Sequence, residues 1–267
     1  MESKVLANNM RKHVVRITSK AKAGHVAPIM SITDIVAVLY GGVMKYDPKK
    51  PKSPTRDIFI LSKGHAGCAL YCALAESGFF PVSDLDNYYT YGSLLSGHVS
   101  HKVTGVELTT GALGHGPGVA VGFAYSFKLE NKPNKVYVLV GDGECNQGSV
   151  WEAVMLAAQL KLDNLCFIID RNRLQCLGKT DEIINMDNME ERFKAFGCAT
   201  TEIDGHDHDE LRSALLKTVK GQPTAIIANT IKGKGISFIE NLAEWHSKAL
   251  SPEQAAEAIK ILEAVNA

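Results

Sequence analysis

Two strand-length stretches, residues 136–140 and 165–169, contain only apolar side chains, and the segment between them, 150–160, has helical spacing. A strand without polar alternation has no face for water, so other elements must cover both of its faces. Residues 57–61 and 224–228 add two further runs, largely apolar. Buried strands alternating with helices define an α/β fold: a doubly wound parallel sheet with helices on both faces. The purely apolar runs stay far below the roughly 20 residues that span a bilayer, which excludes a membrane span and leaves no membrane partner.

Helices are expected over residues 4–20, where Leu6, Met10, Val14 and Ile17 share a face, over 31–44, and from Ser62-Lys63-Gly64-His65 to Glu76. A last one starts at Ser251, with Pro252 in the first turn, Gln254 closing a capping box, and Ala255, Ile259 and Leu262 as its apolar stripe. Residues 92–118 have little periodicity and many turn formers, and loops that long are usually functional. With neither repeat nor linker, residues 1–267 read as one domain with terminal helices.

Lys and Arg number 29 against 29 Asp and Glu, so the clustered basic surplus that nucleic acid demands is missing. The N-terminal residues have Lys4, Arg11, Lys12 and Arg16 with no apolar core behind them, unlike a signal peptide. Six scattered cysteines in a chain long enough to build its own core suit a reducing, cytoplasmic setting. Cys68 and Cys72, one helical turn apart without a second pair, read as a buried helix face in preference to a zinc site.

In parallel sheets, ligands bind beyond the carboxyl ends of the strands. There residues 136–140 run into Gly141-Asp142-Gly143-Glu144, and residues 165–169 into Asp170-Arg171-Asn172-Arg173-Leu174. Right-handed crossovers bring neighbouring strand ends to one edge, so Asp142 and Asn172 can meet across 30 positions. A carboxylate, an amide oxygen and the Leu174 carbonyl are hard donors suited to magnesium carrying a diphosphate. Gly143 precedes a helix N-terminus that favours anions. Asp142 is expected on a solvent-facing loop, without core packing. Five of nine histidines flank glycine (His25, His65, His98, His115, His206), where imidazoles can bond or exchange protons with a sugar-like substrate.

With Gly24-His25, Ser62-Lys63-Gly64-His65-Ala66, Gly97-His98, Thr110-Gly111-Ala112-Leu113-Gly114, Gly141-Asp142-Gly143, Gly148-Ser149-Val150-Trp151-Glu152-Ala153, Asp204-Gly205-His206, Lys232-Gly233-Lys234-Gly235 and Trp245-His246 in this order, the chain resembles the N-terminal half of transketolase. The resemblance spans about residues 19–250. It implies thiamine diphosphate, and magnesium (or calcium or manganese in its place) held by Asp142, Asn172 and the Leu174 carbonyl. It implies diphosphate contacts from Gly143, His65, Lys232 and Lys63, and aminopyrimidine contacts from the Gly111-Ala112-Leu113 backbone. His25, His98 and His246 would line the substrate channel as catalytic residues, with His246 near cofactor and sugar. Surface charge is the plain alternative for both lysines, and Glu152 resembles a dimer-interface carboxylate, with a solvated helical Glu as its plain alternative.

Gln147, His115, Val26 and Ser247 depart from common family residues, and Gln147 weakens any carboxylate coupling between active sites. Family members continue into a pyrimidine-binding domain and a C-terminal domain. The resemblance thus implies the diphosphate-binding subunit of a split transketolase. Its partner would be a C-terminal subunit, and its assembly a homodimer core completed as α2β2, moving a two-carbon ketol unit between sugar phosphates. Two alternatives remain: the alpha subunit of a thiamine-dependent 2-oxo acid dehydrogenase, which can have Asn-Gln-Gly at 146–148, and a non-catalytic thiamine-binding regulatory module. The histidines match transketolase, and the presence of Asp142 and Asn172 speaks against the module. 1-Deoxyxylulose-5-phosphate synthase ranks lower still.

Overall fold

The structure, a computed structural model, describes residues 1–264, so the last three positions of the expected 1–267 domain lie outside the described residues. Helix α1 (Ser3–Ala21) buries Leu6, Met10, Val14 and Ile17 along one stripe and ends at Lys22, whose left-handed φ of 49° lets Ala23 N–H close onto the Thr18 carbonyl at 2.9 Å. The helix expected over 31–44 begins earlier and is broken: α2 (Val26–Ser31), α3 (Thr33–Val38), then a π-helical turn, Leu39–Val43. Ser31 and Thr33 hydroxyls donate back to the Pro28 and Ile29 carbonyls, at 3.1 and 3.0 Å, which competes with a continuous ladder.

The order continues β1 (Ile58–Leu61), α4 (Gly67–Glu76), α5 (His115–Leu129), β2 (Val136–Gly141), α6 (Gly148–Gln159), β3 (Leu165–Arg171), α7 (Thr180–Ile183), α8 (Met189–Ala195), β4 (Ala199–Asp204), α9 (His208–Leu216), β5 (Thr224–Asn229) and α10 (Pro252–Ala264). All strand pairs are parallel, in the order β1-β2-β3-β5-β4. Alternate residues of each strand feed two cores. Tyr137, Leu139, Ile168 and Ile226 pack towards α1, α3, α4 and α9; Val138, Val140, Phe167 and Ile227 pack towards α5, α6 and α8. The sheet is thus covered on both faces, as expected of strands without polar alternation.

Register sets the site. Gly141 lies beside Asp170, and Asp170 beside Ala228, so the chain leaves β2, β3 and β5 at one edge. The capping box at α10 forms as expected: Ser251 N–H donates to Gln254 Oε1 at 3.0 Å, and Gln254 N–H to Ser251 Oγ at 3.2 Å. Cys68 and Cys72 are buried in α4, and among the described residues no group of three His, Cys, Asp or Glu side chains is placed to hold a metal. No helix of the described residues is long and apolar enough to cross a membrane.

Buried Asp34 of α3 joins the N-terminal helix to the β4 end of the sheet. It accepts from Arg11 Nη1 and Nη2 at 3.0 and 2.5 Å, from His206 Nδ1 at 2.7 Å and from His208 Nε2 at 3.0 Å. Burial alone raises its pKa, but Arg11 and the two imidazoles hold the carboxyl well below its ordinary value. Asp34→Ala leaves the largely buried Arg11 guanidinium without its ion-pair partner and is expected to cost about 3–5 kcal/mol. Because the folded pKa is depressed, the carboxylate stabilises the fold above about pH 4 and loses that contribution as pH falls towards the folded value. Urea unfolding at neutral pH and near pH 3 checks this: the gap between wild type and variant should be full at the first and narrowed at the second.

Candidate active site

At the common strand edge lies a cavity of about 480 Å³. Its lining includes His25, Lys63, His65, His98, Gly111, Leu113, Asp142, Gly143, Asn172, Leu174, Lys232 and His246. Of the residues expected to bind cofactor or metal or to act in catalysis, Ala112 is the exception: it is exposed and does not line the cavity. Among the glycine-flanking histidines, His115 is exposed, its Nδ1 3.2 Å from the Ala112 carbonyl. His206 lies on Asp34, so neither joins the cavity-lining rings.

The four remaining rings gather because loops of distant origin touch. A Cβ on Gly24 would lie 2.1 Å from the Ser247 carbonyl oxygen, a contact open only to glycine. That approach sets His25, itself in the left-handed region at φ 66°, 5.6 Å from the His246 ring. His65 lies 5.3 Å from both His25 and His246, and His98 lies 6.0 Å from His25. Burial and the nearby Lys63 push His65 well below the ordinary imidazole pKa, and burial with Lys232 lowers His246 to about 3. These two imidazoles are neutral at physiological pH. His246 Nδ1 accepts from Lys232 Nζ at 2.9 Å, which leaves Nε2–H as its donor.

Asp142 is not on a solvent-facing loop. It is 3% exposed, and its oxygens accept from Gly143 N–H at 2.7 Å, Arg173 N–H at 2.6 Å and Thr180 Oγ1 at 3.3 Å. The sheet register buries the end of β2 against the end of β3, and the carboxylate ties the two loops together. Burial and the charge of Asp170 push its pKa up to about 6. Asn172 Nδ2 donates to Asp170 Oδ2 at 2.9 Å and its Oδ1 accepts from Leu174 N–H at 3.1 Å, which fixes the amide orientation.

Neither lysine is a surface charge: Lys63 is 2% exposed and Lys232 fully buried. Lys63 Nζ is held by Asp170 Oδ2 at 2.5 Å and the Pro28 carbonyl at 3.1 Å. Lys232 Nζ donates to the carbonyls of Leu174 and Gln175 at 3.0 and 3.1 Å, and burial beside Lys63 lowers its pKa to about 8.

Two carboxylates to which the sequence motifs assign no role organise the site. Asp170 is wholly buried and also accepts from Ser31 Oγ at 2.8 Å and from Thr230 Oγ1. Burial raises its pKa, yet Lys63 and these donors bring it below the ordinary value. Glu144 accepts from Ser62 Oγ, from Gly114 N–H at 2.8 Å and from Gly141 N–H at 3.1 Å, and so fastens the loop before α5 to the end of β2. The signal available in the sequence was an acid directly following Ile168-Ile169, a position where a carboxylate needs several partners.

The family model described as the transketolase thiamine diphosphate binding domain matches residues 2–264. A protein of Phocaeicola vulgatus named as a subunit of apulose-4-phosphate transketolase is 42% identical over 252 residues, covering 94% of this chain and 90% of that protein. A 6-deoxy-6-sulfo-D-fructose transketolase subunit of Clostridium sp. is 42% identical over 260 residues, covering 96% and 94%. The solved transketolase of Campylobacter jejuni superposes with a TM-score of 0.91 at 32% identity, over 98% of this chain but 42% of that one. The chain spans less than half of that transketolase and nearly all of the two named subunits. By family match, identity and fold together, the chain belongs to the transketolases, as their thiamine diphosphate-binding domain.

Proposed function

We propose that this chain is the diphosphate-binding subunit of a two-chain transketolase, transferring a two-carbon ketol unit from a ketose to an aldose with thiamine diphosphate and a divalent cation, magnesium or calcium or manganese in its place. The observation that supports this reading most is the meeting, in one cavity, of three hard oxygen donors with a cluster of histidines. Asp142, Asn172 Oδ1 and the Leu174 carbonyl fit a small divalent cation, and a cation beside Asp142 would keep ionised a carboxylate that burial and Asp170 push up. At Gly143 a Cβ would come within 2.9 Å of Gln175 Cγ, so glycine lets the Gln175 side chain close against the turn that follows Asp142.

When bound, the cofactor would supply the carbanion stabilisation that carbon-carbon bond cleavage and formation require. The chain's own residues bind and orient. Lys232 and His65 meet the diphosphate, with Lys63 behind them, anchored on Asp170; the Gly111 and Leu113 backbone borders the ring; and His25, His98 and His246 present imidazoles to substrate hydroxyls. Fixed donors stabilise developing charge without reorganising, most strongly once a second chain excludes water from the cavity. The histidine cluster favours ketol transfer over 2-oxo acid decarboxylation, and the intact Asp142 and Asn172 favour an enzyme over a regulatory module.

The relatives named as transketolase subunits support a second chain, with the pyrimidine-binding and C-terminal domains, as partner. Helices α5 and α6 expose Val119, Tyr125, Leu129, Met155 and Leu156, with Glu152 beside them, a face suited to a homodimer core within an α2β2 assembly. The setting proposed is the cytoplasm, with all six cysteines free and five of them buried. Calorimetry with thiamine diphosphate tests the cofactor reading. Binding is expected with magnesium and lost with chelator, and binding indifferent to metal would contradict it.

A further inference from the structure

The Asp204-Gly205-His206 turn lies outside the cavity lining, yet it reaches the site through the backbone. A Cβ on Gly205 would lie 2.4 Å from Thr230 Cγ2 and 3.0 Å from the Asn229 carbonyl oxygen, so the turn after β4 presses directly on the chain leaving β5. His206 N–H donates to Asp204 Oδ1 at 2.8 Å, which sets the turn. The ring then bridges two fixed groups. Its Nε2 is 2.8 Å from the Ile231 N–H, and its Nδ1 is 2.7 Å from Asp34 Oδ2. A backbone N–H can only donate, so Nε2 is the acceptor and the proton sits on Nδ1, facing the carboxylate.

Ile231 immediately precedes Lys232. On the other side, Arg11 Nε donates to the Lys234 carbonyl at 3.3 Å while its two terminal nitrogens grip Asp34. Between them Gly233, at φ 87°, donates its N–H to the Ala27 carbonyl at 3.0 Å, and a Cβ there would lie 2.7 Å from the Ile239 carbonyl oxygen. Asp34 is therefore the common anchor of two clamps, His206 before Lys232 and Arg11 after it. Lys232 itself is a long side chain whose ammonium ends among the Leu174 and Gln175 carbonyls and His246. A long side chain reaches one place only if its Cα is fixed, and these clamps fix it.

We infer that His206, held by Asp34, is a positioning residue for Lys232 and so for anion binding at the diphosphate end of the cavity. This rests on the cofactor reading above. Magnesium-dependent thiamine diphosphate affinity, measured by calorimetry, tests it on His206→Asn, Lys232→Met and the double variant. Asparagine retains a donor for Asp34 but has no acceptor that reaches Ile231. Affinity is expected to fall about tenfold in His206→Asn, a loss typical of coupled contacts, and the double variant should bind no more weakly than Lys232→Met alone. His206→Gln, whose amide oxygen reaches the Nε2 position, should restore most of the affinity.

Amide hydrogen exchange without cofactor gives an independent reading. The Ile231 N–H should be protected in wild type and His206→Gln, and exchange faster in His206→Asn. Losses that add in the double variant, or wild-type affinity in His206→Asn, would overturn the inference while leaving the cofactor reading standing. Should His206→Asn fail to fold, weak binding and an unprotected Ile231 in a folded His206→Gln would overturn it equally. A wild-type chain that binds no thiamine diphosphate with magnesium would overturn both.

Discussion

Asp142→Ala is expected to abolish magnesium-dependent binding of thiamine diphosphate while leaving a folded protein. The loss of binding follows from donor chemistry: of the three oxygen donors assigned to the cation, only the Asp142 carboxylate is charged, and hard cations depend on charged oxygen. Changes even in an outer shell typically lower metal affinity about 10- to 100-fold, so removal of the carboxylate should exceed about a hundredfold.

Stability is set by two opposed effects. Alanine strands the Gly143 and Arg173 N–H groups that Asp142 accepts from, at about 1–3 kcal/mol each. It also removes a carboxylate whose pKa of about 6 lies above its ordinary value. The sign matters here: a raised pKa means the ionised form disfavours the fold, by about 3 kcal/mol at neutral pH, so its removal offsets much of the loss. Calorimetry alongside thermal unfolding separates the two. Undiminished affinity would contradict the metal assignment, and an unfolded variant would contradict the offset.

The sheet was legible where burial is symmetric. Strands β2, β3 and β5 announce themselves because both faces are covered, whereas β4 is half-exposed at the sheet edge and its Ala-Thr-Thr-Glu sequence has no apolar run. Helix α5 was hidden by Gly116, Gly118 and Gly122, residues that read as loop; Gly116 lets the helix start pack tightly, since a Cβ there would lie 2.5 Å from Ser62 Oγ, whereas Gly118 and Gly122 face open space. In the site, the histidines, the lysines and the strand-end residues that line the cavity were named through motif order, whereas Pro28, Gln175, Ile183 and Ile184, which also line it, were not. The buried carboxylates behind them, Asp170, Glu144 and Asp34, were given no role, because their significance lies in partners drawn from distant segments, such as Ser31, Lys63, Thr230 and His206. Burial of Asp142 escaped for the same reason. Local sequence marks a strand end, while the neighbouring strand decides its exposure.

The second large effect is dependence on a partner chain. In the transketolases that this chain resembles, a glutamate of the pyrimidine-binding domain activates the cofactor's pyrimidine, and in the proposed enzyme that domain would lie on the other chain. This chain would then supply the diphosphate end, the metal ligands and the histidines, and the partner the carboxylate for the ring. Alone, it should bind the cofactor with one side in water, where preorganised dipoles lose much of their effect. Adding the partner should both supply the glutamate and exclude the water, and removing such a proton-transfer group typically costs about 10²–10⁴-fold in rate.

The decisive measurement is ketol transfer from a ketose phosphate to an aldose phosphate, followed with this chain alone, with its partner alone and with the two mixed. Turnover is expected in the mixture only, dependent on thiamine diphosphate and magnesium. Equal turnover by the lone chain, or none in a mixture that binds cofactor and assembles, would contradict the two-chain reading.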